Sequence, residues 1–246
     1  MVLSEHERAM PTVLGDAGLR ELRGRLIGPL VLPQDPDYDD VRRVFNAMID
    51  RHPAVIARCA TTDDVVTSLA FARSRDLSVS VRGGGHGVAG HCVSDGGLMI
   101  DLSLMKGIAV DPDRRVATAQ PGLRLGEFVV ATERYGLVSP TGTVSDTGLA
   151  GLTLGGGYGW LNGMYGMAVD NLVGAEVVTA DGRVLRVSED EHPDLFWALK
   201  GGGGNFGVVT SFEYRLHPVG PTVYGGGVAF APEHRRAVLE LSLIHI

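Results

Sequence analysis

The stretch VSVRGGGHGVAGHC, Val79 to Cys92, decides how this chain is read. Val79-Ser80-Val81 alternates as a β-strand does, and the strand runs straight into three glycines and a histidine. Glycine has no Cβ, so a strand ending on Gly83-Gly84-Gly85 can bring bare backbone against a neighbour that side chains would hold away. The same feature recurs along the chain. Thirty-five of 246 residues are glycine, about twice the ~7% of average usage, gathered at 83–90, 148–159, 201–207 and 225–227. With no Gly-X-Y period and only 12 prolines, neither collagen nor a disordered linker fits.

Outward from the loop, the flanking segments predict an α+β fold. Tyr38 to Asp50 places Val41, Val44, Phe45 and Met48 on one helical face, with Asp37, Asp39 and Asp40 biasing its N-terminus electrostatically. AVIAR (54–58) reads as a short strand. TTDDVVTSLAFARSRD opens on a Thr-x-x-Asp start resembling a capping box and continues at helical period, and LSVSVR (77–82) completes a β-α-β unit that ends on the glycine loop. GLMIDLS (97–103), IAVD (108–111) and RRVATAQ (114–120) are further strands, and LGEFVVATERYG (125–136) is a helix stopped by glycine. AEVVTADGRVLRVS (175–188) is a hairpin turning at Asp181-Gly182. DLFWALK (194–200) is a short helix with Trp197, like Trp160, expected in the core, and VVTSFEYRLHPV (208–219) is a long strand. The opening is β-α-β and the remainder a mainly antiparallel sheet. Pro218, Gly220 and Pro221 mark a boundary, beyond which VYGGGVAF and APEHRRAVLE begin another unit.

Composition narrows the function classes. Twenty-two basic against 29 acidic residues leave a net charge of −7 with no Lys/Arg block, which argues against nucleic acid as a partner. Mean hydropathy is +0.12, and no apolar run approaches the ~18 residues of a membrane span. The amino terminus, MVLSEHERAMPTVLGDAG, lacks the basic and apolar regions of a secretory signal. Two cysteines, Cys59 and Cys92, provide no disulfide framework, and a cytoplasmic location is expected. The last six residues, LSLIHI, back-translate as CTG TCT CTT ATA CAC ATC, the mosaic-end adapter of transposase-based sequencing libraries; on that reading Leu241 to Ile246 are adapter read-through and the natural chain continues. An ordinary hydrophobic helix end is the alternative.

Gly85, Gly87 and Gly90 satisfy G-x-G-x-x-G with Asp101 downstream, and so do Gly202, Gly204 and Gly207. A dinucleotide-binding Rossmann loop needs a helix opening at the glycines. GVAGHCVSDGG has no helical period and the second match continues as a strand, so both fail on context. Successive backbone N–H groups in glycine-rich turns instead form concave nests for anionic oxygens, and two such loops, GGGHG and GLAGLTLGGGYG, could enclose a diphosphate. Tight turns alone are the other reading of these glycines, and a solvated loop histidine the other reading of His86. His86, His91 and Cys92 lack a second ligand pair for zinc, so no metal is expected. No G-x-S-x-G occurs around Ser94 or Ser145.

SVRGGGHGVAGH, DGGLMIDLSLMKGI, GLAGLTLGGGYGWLNGMYGMAVDNLVGAEVVTADGRVL and HPDLFWALKGGGGNFGVVTSFEYRLHP together resemble the FAD-binding domain of the vanillyl-alcohol oxidase (PCMH-type) superfamily. Within it they are most similar to the berberine-bridge-enzyme-like and hydroxynicotine-oxidase-like FAD-linked oxidases, over about residues 40 to 220. The resemblance implies a PCMH-type FAD-binding domain of two α+β subdomains over 37–220, preceded by an N-terminal extension over 1–36 and followed by the start of a truncated substrate domain over 221–240, with the adapter-derived tail read from the codons over 241–246. It implies that His86 is joined through its ring to the 8α-methyl carbon of the flavin, and that Arg82, Gly83, Gly84, Gly85, Gly87, Val88 and His91 line the cofactor. Gly148, Gly151, Gly155, Gly156, Gly157 and Gly159 shape the second flavin loop, Thr143 and Ser145 offer polar contacts, and Val177 meets the flavin through its backbone. Relatives with a second covalent link carry a cysteine at the position that Val144 occupies here, so a single link is expected. The implied activity is oxidation of a small organic substrate by hydride transfer to flavin N5, with dioxygen as re-oxidant and hydrogen peroxide as product. A dehydrogenase using another acceptor, or a flavin- or ligand-binding module without turnover, is the alternative, and no residue of this chain is assigned as the catalytic base.

Overall fold

A computed structural model describes residues 14–220, 222 and 228–243. Of the predicted segments, Met1 to Val13, Pro221, Val223 to Gly227 and Ile244 to Ile246 lie outside the described residues, so the glycine cluster at 225–227 and the end of the proposed tail are not placed.

The chain runs α1 (Asp16–Arg25), β1 (Leu30–Val31), α2 (Tyr38–Arg42), β2 (Val55–Arg58), α3 (Thr62–Arg73), β3 (Val79–Arg82), β4 (Leu98–Asp101), β5 (Ile108–Asp111), β6 (Val116–Ala119), α4 (Leu125–Glu133), β7 (Leu137–Val138), α5 (Leu149–Leu154), α6 (Asn162–Tyr165), β8 (Leu172–Val178), β9 (Val184–Ser188), α7 (Pro193–Gly202), β10 (Val208–Arg215), β11 (His217–Pro218) and α8 (Arg235–Leu243). Two main sheets result. The first has the order β1-β2-β4-β3, with β2 and β3 both parallel to β4. The second, β5-β6-β10-β8-β9, is antiparallel throughout. The expected β-α-β unit is therefore present, with β4 inserted between its two strands.

Both faces of the first sheet are covered, which is why its strands read as apolar runs. Val55, Ala57, Leu98 and Ile100 face α1 and α3, and Ile56 and Met99 face Tyr38, Val41 and Val93. Along β8 and β10 the two-residue period divides neighbours between cores: Val178 and Val208 join the first, whereas Val177 and Val209 join the second, under α4, α5 and α7. The second sheet thus lies between the two cores and joins the subdomains. Thr61 caps α3, its hydroxyl accepting the Asp64 N–H at 3.2 Å. Asp64 does not return the bond to Thr61. Its buried carboxylate takes the N–H groups of Ile27, Gly28 and Ala60 instead, tying the segment before β1 to α3.

Two expectations need correction. The helix from Tyr38 ends at Arg42, because Arg43 turns extended and the following residues make tertiary bonds in place of helical ones, beginning with Phe45 N–H to the Gly85 carbonyl at 2.9 Å. Phe45 and Met48 are consequently exposed. Trp160 and Trp197 are 85% and 78% exposed, so neither is core. Residues 14–36, read as an N-terminal extension, pack on the first subdomain, supplying α1, β1 and the buried Leu14, Leu19, Leu22 and Leu30.

Candidate functional site

The three parallel strands end on charge. Arg58 closes β2, Arg82 closes β3 and Asp101 closes β4, and the register sets both arginines beside Asp101. Asp101 is fully buried. Its carboxylate accepts from Arg82 Nε at 3.1 Å and Arg58 Nε at 3.2 Å, and also from the Ser103 N–H at 3.1 Å and Ser103 Oγ at 2.9 Å. Arg82 donates further to the carbonyls of Val41 and Arg43, which is what the end of α2 does with its freed acceptors. Two guanidinium groups against one carboxylate leave net positive charge at the carboxyl edge of a parallel sheet, the edge where α/β sheets bind ligands. Asp101 is thereby committed to arginine and is not a free ribose acceptor, in keeping with the failed Rossmann match.

The first glycine loop leaves this edge. Among the described residues, no protein acceptor takes a hydrogen bond from any backbone N–H between Gly83 and Ala89. The loop is anchored through its carbonyls instead: Gly85 accepts from Phe45 N–H, Gly87 from Gly90 N–H, and Val88 from Asn46 Nδ2 at 2.8 Å. Buried backbone donors are almost always paired, so the free N–H of buried Gly85 and those of half-buried Gly83, Gly84 and His86 form a donor set of the kind an anion nest uses, whereas those of Gly87, Val88 and Ala89 face solvent. Gly85 has φ +68°, a conformation that favours glycine.

The second glycine segment meets the first backbone to backbone. A Cβ on Gly84 would stand 2.4 Å from the Gly148 Cα, and one on Gly148 would stand 2.5 Å from the Gly84 N. Only glycine permits this contact. Next to it the N–H groups of Gly148, Ala150 and Gly151 have no protein acceptor among the described residues, and a Cβ on Gly151 would meet open space. A cleft of about 420 Å³ opens on the first loop, lined by Gly83, Gly84 and His86 with Phe45, the basic Arg43, Arg58, Arg82 and Arg124 and the acidic Asp40 and Asp146, while Gly148, Ala150 and Gly151 stand outside its lining. Arg124 pairs with Asp146 at 2.5 Å and Arg43 with Asp40 at 2.9 Å.

The imidazole of His86 lies flat on Phe45, ring centroids 3.9 Å apart and planes at 16°. Neither of its nitrogens has a hydrogen-bond partner among the described residues. Of the other sequence-predicted residues, Arg82 reaches the cleft but spends its guanidinium on Asp101, while Gly87 and Val88 continue the exposed side of the loop. His91, Thr143, Ser145 and Val144 are exposed and lie outside the cleft lining. Gly155, Gly156, Gly157 and Gly159 form the turn after α5. Packing alone accounts for two of them, since a Cβ on Gly157 would meet Ala168 and one on Gly159 would stand 1.7 Å from the Thr141 carbonyl oxygen. Val177 is buried in the second core, its backbone in the ladder between β9 and β10. Both cysteines are free; burial pushes the Cys59 thiol up to about 12 and raises Cys92. Sequence reasoning missed Phe45, Asn46, Arg58 and Arg124. A signal existed for Arg58, because the three apolar runs VIAR, VSVR and LMID each finish on a charged residue.

A family profile described as an FAD binding domain matches residues 53–188. The chain belongs to this FAD-binding family of FAD-linked oxidoreductases. It is 38% identical over 205 residues to (R)-6-hydroxynicotine oxidase of Paenarthrobacter nicotinovorans, covering 83% of this chain and 45% of that protein. The crystal structure of 6-hydroxy-D-nicotine oxidase from Arthrobacter nicotinovorans superposes with a TM-score of 0.77 at 39% identity, over 78% of this chain and 43% of that one. Glucooligosaccharide oxidase from Acremonium strictum, with its 6-S-cysteinyl, 8α-N1-histidyl FAD, gives 0.73 at 36% identity, over 77% of this chain and 40% of that one. The chain thus spans less than half the length of the relatives it matches. Its PCMH-type fold is shared with these FAD-linked oxidases. The donor set fits such a cofactor: unpaired N–H groups and net positive charge suit a diphosphate, and the gap that a Cβ on Gly84 or Gly148 would fill lets the two loops close together.

Proposed function

We propose that this chain holds FAD for the oxidation of a small organic substrate, as part of an FAD-linked oxidase working in the cytoplasm. The observation that carries the reading is the run of unpaired N–H groups from Gly83 to His86, set against Gly148. Bound FAD would supply the redox chemistry, a hydride acceptor at N5 with dioxygen as re-oxidant and hydrogen peroxide as product. The chain supplies position and charge. The first loop and the N–H groups of Gly148, Ala150 and Gly151 bind the diphosphate, and the Arg58-Asp101-Arg82 cluster keeps that edge positive and fixes where the loop begins. Gly85, Gly87, Val88, His91, Thr143, Ser145, Gly155 and Gly156 complete the proposed contact set, whereas Gly157 and Gly159 are accounted for by packing and the Val177 backbone by the ladder between β9 and β10.

His86 is proposed as the single covalent attachment point. Its ring nitrogens are free among the described residues, Val144 has no thiol to offer, and burial raises the pKa of both cysteine thiols. No helix among the described residues is long and apolar enough to cross a membrane, and small molecules, not nucleic acid, are the proposed partners. The test is mass spectrometry of acid-denatured, trypsin-cleaved protein after incubation with FAD. An FAD adduct on the peptide Gly83 to Lys106, absent from His86→Ala, supports the assignment. Released FAD with no adduct leaves a non-covalent flavoprotein and removes the role of His86, and no retained flavin removes the proposal. Peroxide release with substrate separates an oxidase from a dehydrogenase, which would reduce the flavin without forming peroxide.

A further inference from the structure

We infer that Phe45 is a positioning residue for His86, holding the imidazole in the plane from which it attaches to the flavin. The inference rests on the proposed covalent role of His86. The residues on either side of His86 are Gly85 and Gly87, which have no side chains to confine a ring, and neither imidazole nitrogen is hydrogen-bonded among the described residues. What fixes the ring is the Phe45 face, at 3.9 Å and 16° from parallel. Stacking of this kind restrains both side-chain torsions while leaving the ring edge, with its two nitrogens, unobstructed. An edge-on contact or a hydrogen bond would have blocked one of them.

Phe45 is itself held against the loop. Its N–H donates to the Gly85 carbonyl at 2.9 Å, and the next residue, Asn46, donates to the Val88 carbonyl at 2.8 Å, so residues 45 and 46 grip the loop on both sides of His86. Phe45 as a residue is 63% exposed. An exposed aromatic that contributes little to either core, yet stacks on the one histidine in the cleft, has its place at the site and not in the packing of the fold. The truncated helix is explained by the same contact: continuing α2 beyond Arg42 would withdraw the Phe45 N–H from Gly85.

Attachment joins an imidazole nitrogen to the 8α carbon. The imidazole N–H and one 8α C–H are lost as two protons, the C–N bond forms, and the two electrons released pass to dioxygen, which takes up two protons to become hydrogen peroxide. The rate of this step depends on how often the nitrogen lone pair faces the 8α carbon. That fraction is what stacking on Phe45 raises.

The experiment is a time course of attachment. Apo-protein from riboflavin-starved cells is mixed with saturating FAD, and acid-stable flavin on the peptide Gly83 to Lys106 is quantified for the wild type, Phe45→Ala, Phe45→Tyr and His86→Ala, with non-covalent FAD affinity measured in parallel on the His86→Ala background. Phe45→Ala keeps the backbone bond to Gly85 and removes only the ring. The expected result is attachment slowed about tenfold or more in Phe45→Ala, near-wild-type in Phe45→Tyr, with FAD affinity changed less than about threefold. Attachment by Phe45→Ala at the wild-type rate overturns the inference, as does a slowing that Phe45→Tyr fails to rescue or that is matched by an equal loss of FAD affinity. A wild type that binds FAD without attaching it overturns the role of His86 and this inference with it, a result distinct from all the others.

Discussion

At the residue scale, the charged ends of three strands illustrate how much one position can carry. Asp101 is buried between Arg58 and Arg82, with every oxygen engaged. Such a cluster adds little net stability over an apolar replacement, because desolvation offsets the attraction, but removing one partner strands a buried charge. Asp101→Asn is therefore expected to cost about 3–5 kcal/mol, read as a lowered urea midpoint, and to weaken FAD binding by releasing Arg82 and the start of the glycine loop. A midpoint within ~0.5 kcal/mol of wild type would contradict the assigned geometry. The three charges are plain in the sequence. Their pairing is not, since it depends on β4 entering between β2 and β3, a topology that places residues 58, 82 and 101 side by side from distant parts of the chain.

At the element scale, α5 and the β7–β11 pair make opposite demands on their sequences. Gly151 sits inside α5, where glycine costs about 0.5–1 kcal/mol relative to alanine, and its Cβ direction is open. If the fold alone chose this residue, alanine would be the better choice. Gly151→Ala is expected to raise the stability of the apo-chain by about 0.5–1 kcal/mol while lowering FAD affinity at least tenfold; unchanged affinity would show that no cofactor approaches there. In β11, His217 Nε2 lies 2.6 Å from Asn171 Oδ1, and its ring stacks on Tyr165 at 4.0 Å. Asn171 in turn donates to the carbonyls of Tyr165 and Met167. Desolvation, then the positive charges of Arg215 and Arg115, lower the His217 pKa. The unfolded chain then takes up a proton first, at the ordinary value of ~6.5. The contribution of His217 to stability is complete above that pH and is lost as the pH falls from ~6.5 through the folded value. Between pH 8 and 5, urea midpoints should fall less steeply for His217→Gln than for wild type; parallel curves would refute the coupling. The hairpin at Asp181-Gly182, the cap at Thr61 and most strands were legible because local chemistry specifies them. The false helix past Arg42 was not, because the apolar pattern of Val41, Val44 and Phe45 is equally satisfied by a loop packed on the first sheet and the glycine loop.

At the scale of the whole molecule, the proposed cofactor site lies where two subdomains meet, so their relative placement shapes it. Glu176 in β8 joins them: its Oε1 accepts from Thr62 Oγ1 in α3 at 2.9 Å and from Thr210 Oγ1 in β10 at 2.6 Å. Glu176→Ala leaves the buried Thr210 hydroxyl without its strong acceptor and should cost about 1–3 kcal/mol. It should also weaken FAD binding at a distance, because Gly84 and Gly148 belong to opposite sides of that junction; calorimetry of the variant with and without FAD checks both. Equal FAD affinity in wild type and variant would show that the loops keep their contact without Glu176. By itself the sequence determined the α+β class and the β-α-β opening, and it singled out the glycine loops and His86 as candidates, since period, turn chemistry and missing side chains are local properties of the chain. Only the tertiary structure decided that Gly84 touches Gly148, that Phe45 leaves its helix to lie on His86, and that two arginines share Asp101. Those contacts join residues far apart in sequence, and their energies arise only once the sheets have brought the partners together.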